Sequence, residues 1–208
     1  IISFIFLLAP TAQVVSYAGE LEDAKEEVRK NPDDAWAHYN LGVAYVKSGK
    51  NEDAIESFKQ AIRIDPDDAG AYYNLGTIYG ELGKFKEEIE SYKQVIRIDP
   101  DDADAHYNLG IAYSELGKHK KEIESYKQAI RIDPDYADAH DNLGYIYNES
   151  GKYQEAIESC KQAIRIDPDF ANAHNNLGNA YYGSGKYKEA IESYKQAIRI
   201  DPDYRDAH

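Results

Sequence analysis

Residues 103–136, ADAHYNLGIAYSELGKHKKEIESYKQAIRIDPDY, are one unit of a 34-residue pattern that recurs five times and decides the fold. The tripeptide Asn-Leu-Gly returns at this interval from residues 40–42 to residues 176–178, and six of the seven prolines keep the same interval. A period of this length predicts a stacked array, in which each unit buries its apolar face only against its neighbours. Such an array offers a long surface, so the pattern favours binding over catalysis.

The apolar residues inside each unit recur at helical spacing. In the first unit, Trp36, Leu41 and Tyr45 recur at helical spacing and predict a first helix, which ends at Gly49. A second amphipathic helix follows over residues 52–64, and Pro66 ends it because proline cannot continue a helix. The sequence therefore predicts five antiparallel helix pairs.

Each unit also carries a recurrent set of small, aromatic and proline residues at fixed spacing. In the first unit the set is Leu41, Gly42, Tyr45, Ala54, Phe58, Ala61 and Pro66. This set resembles the tetratricopeptide repeat (TPR), and the resemblance spans residues 20–208 in register. It implies an all-α fold, a right-handed superhelical solenoid of antiparallel helix pairs. The glycine at position 42 and its equivalents are expected to let the two helices of a unit approach closely.

The repeat pattern sets the expected boundaries of the chain's regions. Residues 1–18 form an apolar segment that resembles a signal peptide, residues 19–34 form a capping half-repeat helix, and residues 205–208 begin a truncated sixth repeat. Between them, residues 35–204 hold five full repeats, which span 35–68, 69–102, 103–136, 137–170 and 171–204.

The apolar N-terminal segment has three interpretations. The run over residues 1–9, followed by Ser16, Tyr17 and Ala18, is typical of a secretory signal peptide that is cleaved after Ala18. A membrane anchor needs ~20 apolar residues, and Pro10 interrupts the run before that length. A degenerate repeat helix is the third interpretation. The first predicts an exported, periplasmic or membrane-associated protein of a prokaryote, and a cytoplasmic location is expected otherwise.

The composition argues against several kinds of function. With a formal net charge of −14 at pH 7, the chain has no basic stripe for nucleic acid or for an anionic membrane surface. No glycine-rich phosphate loop, nucleophile elbow or HExxH motif occurs, so we expect no catalytic residues and no cofactor. Cys160 is the only cysteine and stands where the other repeats carry a large aromatic residue, which indicates a buried filler.

The histidines favour packing over metal binding. Each of five histidines lies on a different predicted helix, at least one repeat from the next: His38, His106, His140, His174 and His208. Adjacent helices separate them by about 10 Å, whereas zinc ligands lie only ~2 Å from the ion. We therefore expect no metal site.

Two glutamates occupy a position that the other repeats reserve for alanine. Glu88 and Glu122 stand at the predicted crossing of the two helices, where a buried carboxylate is costly unless it is paired. The sequence favours side chains that slide to the surface along their stems. A loosened or partner-facing seam in the middle of the array is the alternative.

The family resemblance places the first helices on the concave face, where ligands bind. The asparagine of each repeat is similar to the asparagine ladder in the TPR domain of O-linked N-acetylglucosamine transferase, whose amides hold a peptide main chain. A hydrogen bond between neighbouring helices is the structural alternative, and both roles are compatible. The predicted peptide-binding groove comprises Asn40, Asn74, Asn108, Asn142, Asn176, Tyr39, Tyr73, Tyr107, Asp141, Asn175, Val43, Thr77, Ile111, Tyr145, Asn179, Glu81, Glu115 and Glu149.

The side chains of this groove predict the chemistry of the partner. Tyrosines line its N-terminal end and acidic residues follow from the middle onward, so we expect a protein or peptide partner that is neutral to basic. The predicted function is a non-catalytic interaction scaffold. One alternative is a docking or regulatory arm of a longer enzyme such as a glycosyltransferase. Another is a self-assembling structural protein that stacks through an uncapped C-terminal edge.

Overall fold

The computed structural model describes residues 9–202, with side chains from residue 19 onward, and every regular element in this range is an α-helix. The predicted start of a sixth repeat, residues 205–208, lies outside this range. The helices of the described residues are α1 (Ala9–Lys30), α2 (Ala35–Lys47), α3 (Asn51–Ile64), α4 (Ala69–Glu81), α5 (Phe85–Ile98), α6 (Ala103–Glu115), α7 (His119–Ile132), α8 (Ala137–Glu149), α9 (Tyr153–Ile166), α10 (Ala171–Gly183) and α11 (Tyr187–Ile200).

The described part of the chain forms two compact units, which divide between Pro100 and Asp101. In the first unit, α2 packs on α3 and α4 packs on α5, while α3 joins the two hairpins by contacting α4. In the second unit, the hairpins α6–α7, α8–α9 and α10–α11 are joined through the contacts of α7 with α8 and of α9 with α10. The predicted fold class, an all-α solenoid of helix pairs, is confirmed.

The core of each unit combines the second helix of one repeat with the first helix of the next. In the first unit, Phe58 of α3 is buried together with Leu75 and Ile78 of α4. In the second unit, Tyr126 of α7 is buried with Leu143 of α8. Each repeat therefore completes the core of its neighbour, as the sequence period requires.

Helix α1 covers the apolar edge of the first repeat. Its Leu21 is buried against Leu41 of α2, as expected for a capping helix. The helix begins at Ala9 and runs without a break through the boundary predicted at residue 19. Among the described helices, none combines the length and the apolarity that a membrane span requires. The signal-peptide interpretation of the N-terminus stays a prediction, and residues 1–8 lie outside the described range.

A glycine at the crossing of the two helices brings each hairpin close together. A Cβ atom on Gly110 of α6 would lie 2.5 Å from Cε1 of Tyr126 on α7, and that ring is itself buried. Any larger residue would therefore push the helices apart. A second glycine, Gly117, has a φ of 63° in the connection that follows α6. Only glycine adopts this left-handed conformation without strain, which explains why the same position is glycine in every repeat.

The two glutamates at the helix crossing are buried, so the prediction that they slide to the surface is wrong. Glu88 is 6% exposed and Glu122 is 2% exposed. Glu88 fits because the opposing residue is Gly80, where a Cβ atom would lie 2.9 Å from Glu88 Oε1. Glu122 is paired with His119, whose Nδ1 lies 3.0 Å from Oε2. A small residue on the facing helix and a local partner therefore accommodate the carboxylates.

The glycine at the crossing gives a direct test of this packing. Gly110→Ala should lower the free energy of unfolding by about 2 kcal/mol, because the buried Tyr126 ring cannot move aside. Urea unfolding followed by circular dichroism measures this loss. Gly19→Ala on α1 is the matched control, since a Cβ atom there meets nothing within 4 Å and alanine favours a helix. Equal stability of Gly110→Ala and the native chain would contradict the packing argument.

Candidate functional site

The predicted asparagine ladder is held by the preceding repeat. In the first unit, Asn74 Nδ2 donates to Tyr39 Oη over 3.2 Å and to the Gly70 carbonyl over 2.9 Å. Both amide hydrogens are therefore used inside the protein, while Oδ1 is left to accept a hydrogen bond. Asn40, at the start of the row, is exposed.

The ladder has the same register in the second unit. Asn142 Nδ2 donates to Tyr107 Oη over 3.1 Å, and Asn176 Nδ2 donates to Asp141 Oδ1 over 2.9 Å. Each bond joins residues 35 positions apart, as in the first unit. The hydrogen bond between neighbouring helices that the sequence left open as an alternative is therefore present.

A stacked pair of aromatic rings lies beside the ladder in each unit. In the first unit, Trp36 stacks on Tyr39 with ring centroids 5.2 Å apart, and Trp36 is 65% exposed. In the second unit, Tyr136 stacks on Tyr107 with centroids 4.9 Å apart, and its hydroxyl donates to Asp104 Oδ1 over 2.7 Å. Rigid rings with exposed surface are efficient anchors for a partner.

Trp36 and Tyr136 were not among the predicted groove residues. Trp36 follows the helical spacing of the apolar residues, which predicts packing, yet its ring lies on the surface. Tyr136 stands directly before α8, at the position where Asp68 and Asp102 cap α4 and α6 with their side chains. This exchange of a capping aspartate for a ring was the signal available in the sequence.

The predicted groove residues one helical turn beyond the ladder differ in exposure and in hydrogen bonding. Tyr145 is 49% exposed and is the large aromatic side chain that α8 presents to solvent. Thr77 is bound to its own hairpin, with Oγ1 3.3 Å from Tyr92 Oη, and Asn179 accepts from Tyr194 Oη over 2.8 Å. The other predicted groove residues Tyr73, Asn108, Val43 and Ile111 are half-buried.

Acidic side chains surround the ladder in both units. Glu81, Glu115 and Glu149 are exposed at the ends of their helices. Lys47 is the basic residue in the equivalent place of the first repeat, and its Nζ lies 2.8 Å from Glu20 Oε2 of α1. The positive charge near the ladder of the first unit is thus already paired.

Repeat four replaces two aromatic rings with small polar groups. In the first repeat, Tyr39 contacts Phe58 with centroids 5.6 Å apart, whereas the equivalent residues in repeat four are Asp141 and Cys160. Asp141 is only 4% exposed and Cys160 is fully buried. Burial, together with the neighbouring carboxylate, raises the pKa of the Cys160 thiol well above its usual range. The thiol is therefore a filler, as predicted, with no nucleophilic character.

The carboxyl group of Asp141 is unusual for an acidic residue. Burial raises its pKa to about 6, while the hydrogen bond from Asn176 lowers the pKa and the nearby charge of Asp138 raises it further. Asn175, the equivalent residue in repeat five, is 5% exposed, and its Oδ1 has no hydrogen-bond partner among the described residues. The side chains of Asp141 and Asn175 therefore face the protein interior.

The histidines bind the backbone of the preceding loop. Nε2 of His38 lies 2.9 Å from the Pro32 carbonyl, and Nε2 of His174 lies 3.0 Å from the Pro168 carbonyl. His140 repeats this contact at 3.2 Å. These rings fix the connection between repeats, which accounts for their regular spacing.

The buried carboxyl group makes the stability depend on pH. Because the folded pKa of about 6 lies above the ordinary 3.8, the folded chain holds a proton between these values that the unfolded chain has released. Stability from this group is lost as the pH rises through about 6. Asp141→Asn, which can still accept from Asn176, should be more stable than the native chain by about 2 kcal/mol near pH 8.

Urea unfolding over a series of pH values measures this difference. The advantage of Asp141→Asn should vanish as the pH falls to about 4, since the native carboxyl group is then protonated. Asp138→Asn, an exposed acid on the same helix, is the control and should change stability by less than about 0.5 kcal/mol. A difference between Asp141→Asn and the native chain that does not vary with pH would contradict the argument.

Family models for the tetratricopeptide repeat match nearly the whole array. A TPR repeat model matches residues 44–83, 76–117, 115–148 and 144–185. Further tetratricopeptide repeat models match residues 171–204 and 24–56. A search of curated proteins finds no match to this chain.

Solved structures with the same fold are numerous. YrrB, described as a TPR protein with an unusual peptide-binding site, is 24% identical with a TM-score of 0.77, over 90% of this chain and 96% of YrrB. MamA is 31% identical with a TM-score of 0.74, over 78% of this chain and 95% of MamA. A thermophilic TPR protein of Thermus thermophilus is 26% identical with a TM-score of 0.60, over 83% of this chain and 94% of that protein. The repeat pattern, the helix hairpins and these matches agree, and the chain belongs to the tetratricopeptide repeat family.

Proposed function

We propose that this protein is a non-catalytic interaction scaffold that binds neutral to basic peptide segments along the ladder. The observation that carries the proposal is the orientation of the ladder amides. Nδ2 of Asn74, Asn142 and Asn176 points to the preceding repeat, which leaves each Oδ1 to accept from a partner. A peptide main chain supplies such donors at regular intervals.

The surroundings of the ladder support the same function. Trp36 and Tyr145 present exposed rings beside it, and such rings contribute much of the binding energy at protein interfaces. The exposed acids Glu81, Glu115 and Glu149 favour a partner without negative charge. YrrB, which has the same fold, is described as having a peptide-binding site. The same contacts around the ladder would serve a free-standing adaptor or the docking arm of a longer enzyme.

A self-assembling scaffold is the second candidate, and one residue favours it. Ile191 belongs to α11, the last helix that the structure describes, and is 55% exposed, whereas Ile157 at the same position of α9 is covered by α10 and is 2% exposed. An apolar side chain on this face suits contact with another copy. The two candidates therefore place the contact on different surfaces, the ladder and the exposed face of α11.

Capture experiments with matched surface variants separate these functions. Tyr145→Ser should reduce the amount of partner captured from an extract of the source organism at least tenfold, because it removes an exposed anchor without disturbing the core. Ile191→Ser removes a similarly exposed apolar side chain and should leave capture unchanged. Circular dichroism verifies that both variants keep the native helix content.

Two other results would contradict binding of the partner at the ladder. Loss of capture by Ile191→Ser alone, with self-association of the native chain in analytical ultracentrifugation, would favour the structural protein. Equal capture by all three chains would contradict binding at either surface.

A further inference from the structure

We propose that Asp141 sets the specificity of the ladder, so that the Asp141–Asn176 step selects a cationic side chain while the Tyr–Asn steps bind a peptide group. This inference rests on the proposed function and assigns a particular chemistry to two neighbouring steps of the second unit. Each step consists of a ladder asparagine and the residue of the preceding repeat that holds its amide.

A Tyr–Asn step offers one donor and one acceptor. Tyr107 Oη receives the amide hydrogen of Asn142, and the phenolic hydrogen has no acceptor among the described residues. Because Nδ2 of Asn142 is directed to the preceding repeat, its Oδ1 is left to accept. A peptide group carries one carbonyl and one N–H, and it therefore complements this step.

The Asp–Asn step offers acceptors only. Asp141 has no hydrogen to give when it is ionised, and it fixes Asn176 with Nδ2 turned inward at 2.9 Å. A partner group at this step therefore meets the Oδ1 of Asn176 and a carboxylate behind it. A group that accepts hydrogen bonds, such as a peptide carbonyl, would find no donor there and would lose its hydrogen bonds to water.

The charge around this step favours a cation over a neutral donor. Within residues 19–202, no basic side chain forms an ion pair with Asp141, and Asp138 adds an exposed negative charge on the same helix. Tyr107 of α6 and Cys160 of α9 lie close enough for the Asp141 charge to raise their pKa values, and neither is cationic. A lysine or arginine side chain would supply both the donors and the positive charge.

An exposed tyrosine can contact the aliphatic part of the bound lysine or arginine side chain. Tyr145 lies one turn after Asp141 on α8 and is 49% exposed. A tyrosine face attracts the ammonium or guanidinium group and packs against the aliphatic stem. The step thus combines acceptors, negative charge and an aromatic surface, which together recognise a basic residue.

The spacing between the two steps limits where that basic residue lies in the partner. Neighbouring helices pack about 8–10 Å apart, and an extended peptide rises about 3.3 Å per residue. The basic side chain should therefore lie about three residues from the peptide group that the Tyr107–Asn142 step binds.

Defined peptides test the proposal on the full chain. The probes are two fluorescein-labelled octapeptides of alanine and serine that differ at one central residue, which is arginine in one and its neutral isostere citrulline in the other. Fluorescence anisotropy at low ionic strength gives both dissociation constants. The native chain should bind the arginine peptide about fivefold more tightly than the citrulline peptide.

Two variants separate the roles of the two steps. Asp141→Asn removes the charge and should bring the ratio of the two dissociation constants close to one. It is expected to be more stable than the native chain, so unfolding cannot explain that loss. Tyr107→Phe keeps the ring stack on Tyr136 and should weaken both peptides about fivefold, with the ratio unchanged.

The outcomes distinguish this inference from the function on which it rests. Binding of both peptides with equal affinity by the native chain would overturn the cationic step but leave the peptide groove in place. A fivefold preference that survives in Asp141→Asn would also overturn it. Absence of binding by either peptide up to millimolar concentration would count against the groove itself.

Discussion

The close crossing of the two helices in each hairpin is the constraint on which the remaining structure depends. Because Gly110 has no side chain, the Tyr126 ring can lie directly against the backbone of α6. This contact fixes the separation and register of the pair, and every other repeat places glycine at the same position. The next hairpin then packs on a surface of defined shape, so Asn142 reaches Tyr107 with a regular hydrogen bond. The ladder is therefore a consequence of the core packing.

Repeat four shows what happens when the core residues around that glycine change. Gly144 is retained, but the atom nearest to a Cβ built there is the sulfur of Cys160 instead of an aromatic carbon. With the ring gone and Asp141 in place of the facing tyrosine, a carboxyl group occupies an apolar site. Such a group is costly to bury, and the hydrogen bond from Asn176 offsets only part of that cost. Costly groups of this kind cluster at functional sites, which supports Asp141 as the residue that sets specificity.

Most of the fold could be predicted from the sequence, because the helices and the turns between them repeat with one period. The failures concern residues whose surroundings lie on another helix. Glu88 looked incompatible with the crossing, and Gly80 on the facing helix provides the space for it. Asp141 was predicted as a groove residue, and its side chain is buried, where it accepts a hydrogen bond from Asn176 of α10. Trp36 followed the helical spacing yet lies on the surface. Prediction from spacing alone therefore fails where side chains on another helix determine whether a residue is buried.

If the ladder binds a peptide as proposed, differences among its steps would allow the array to recognise a particular peptide sequence. Identical steps would bind any main chain equally well and in any register, since a peptide backbone repeats at every residue. A single step with different hydrogen-bonding groups breaks this equivalence and fixes the position of the bound chain. Here the change from Tyr107 to Asp141 removes a donor and adds a charge while the asparagine beside each is kept. Under the proposed function, the geometry that the repeats share would provide affinity, and the departure in one repeat would provide the register.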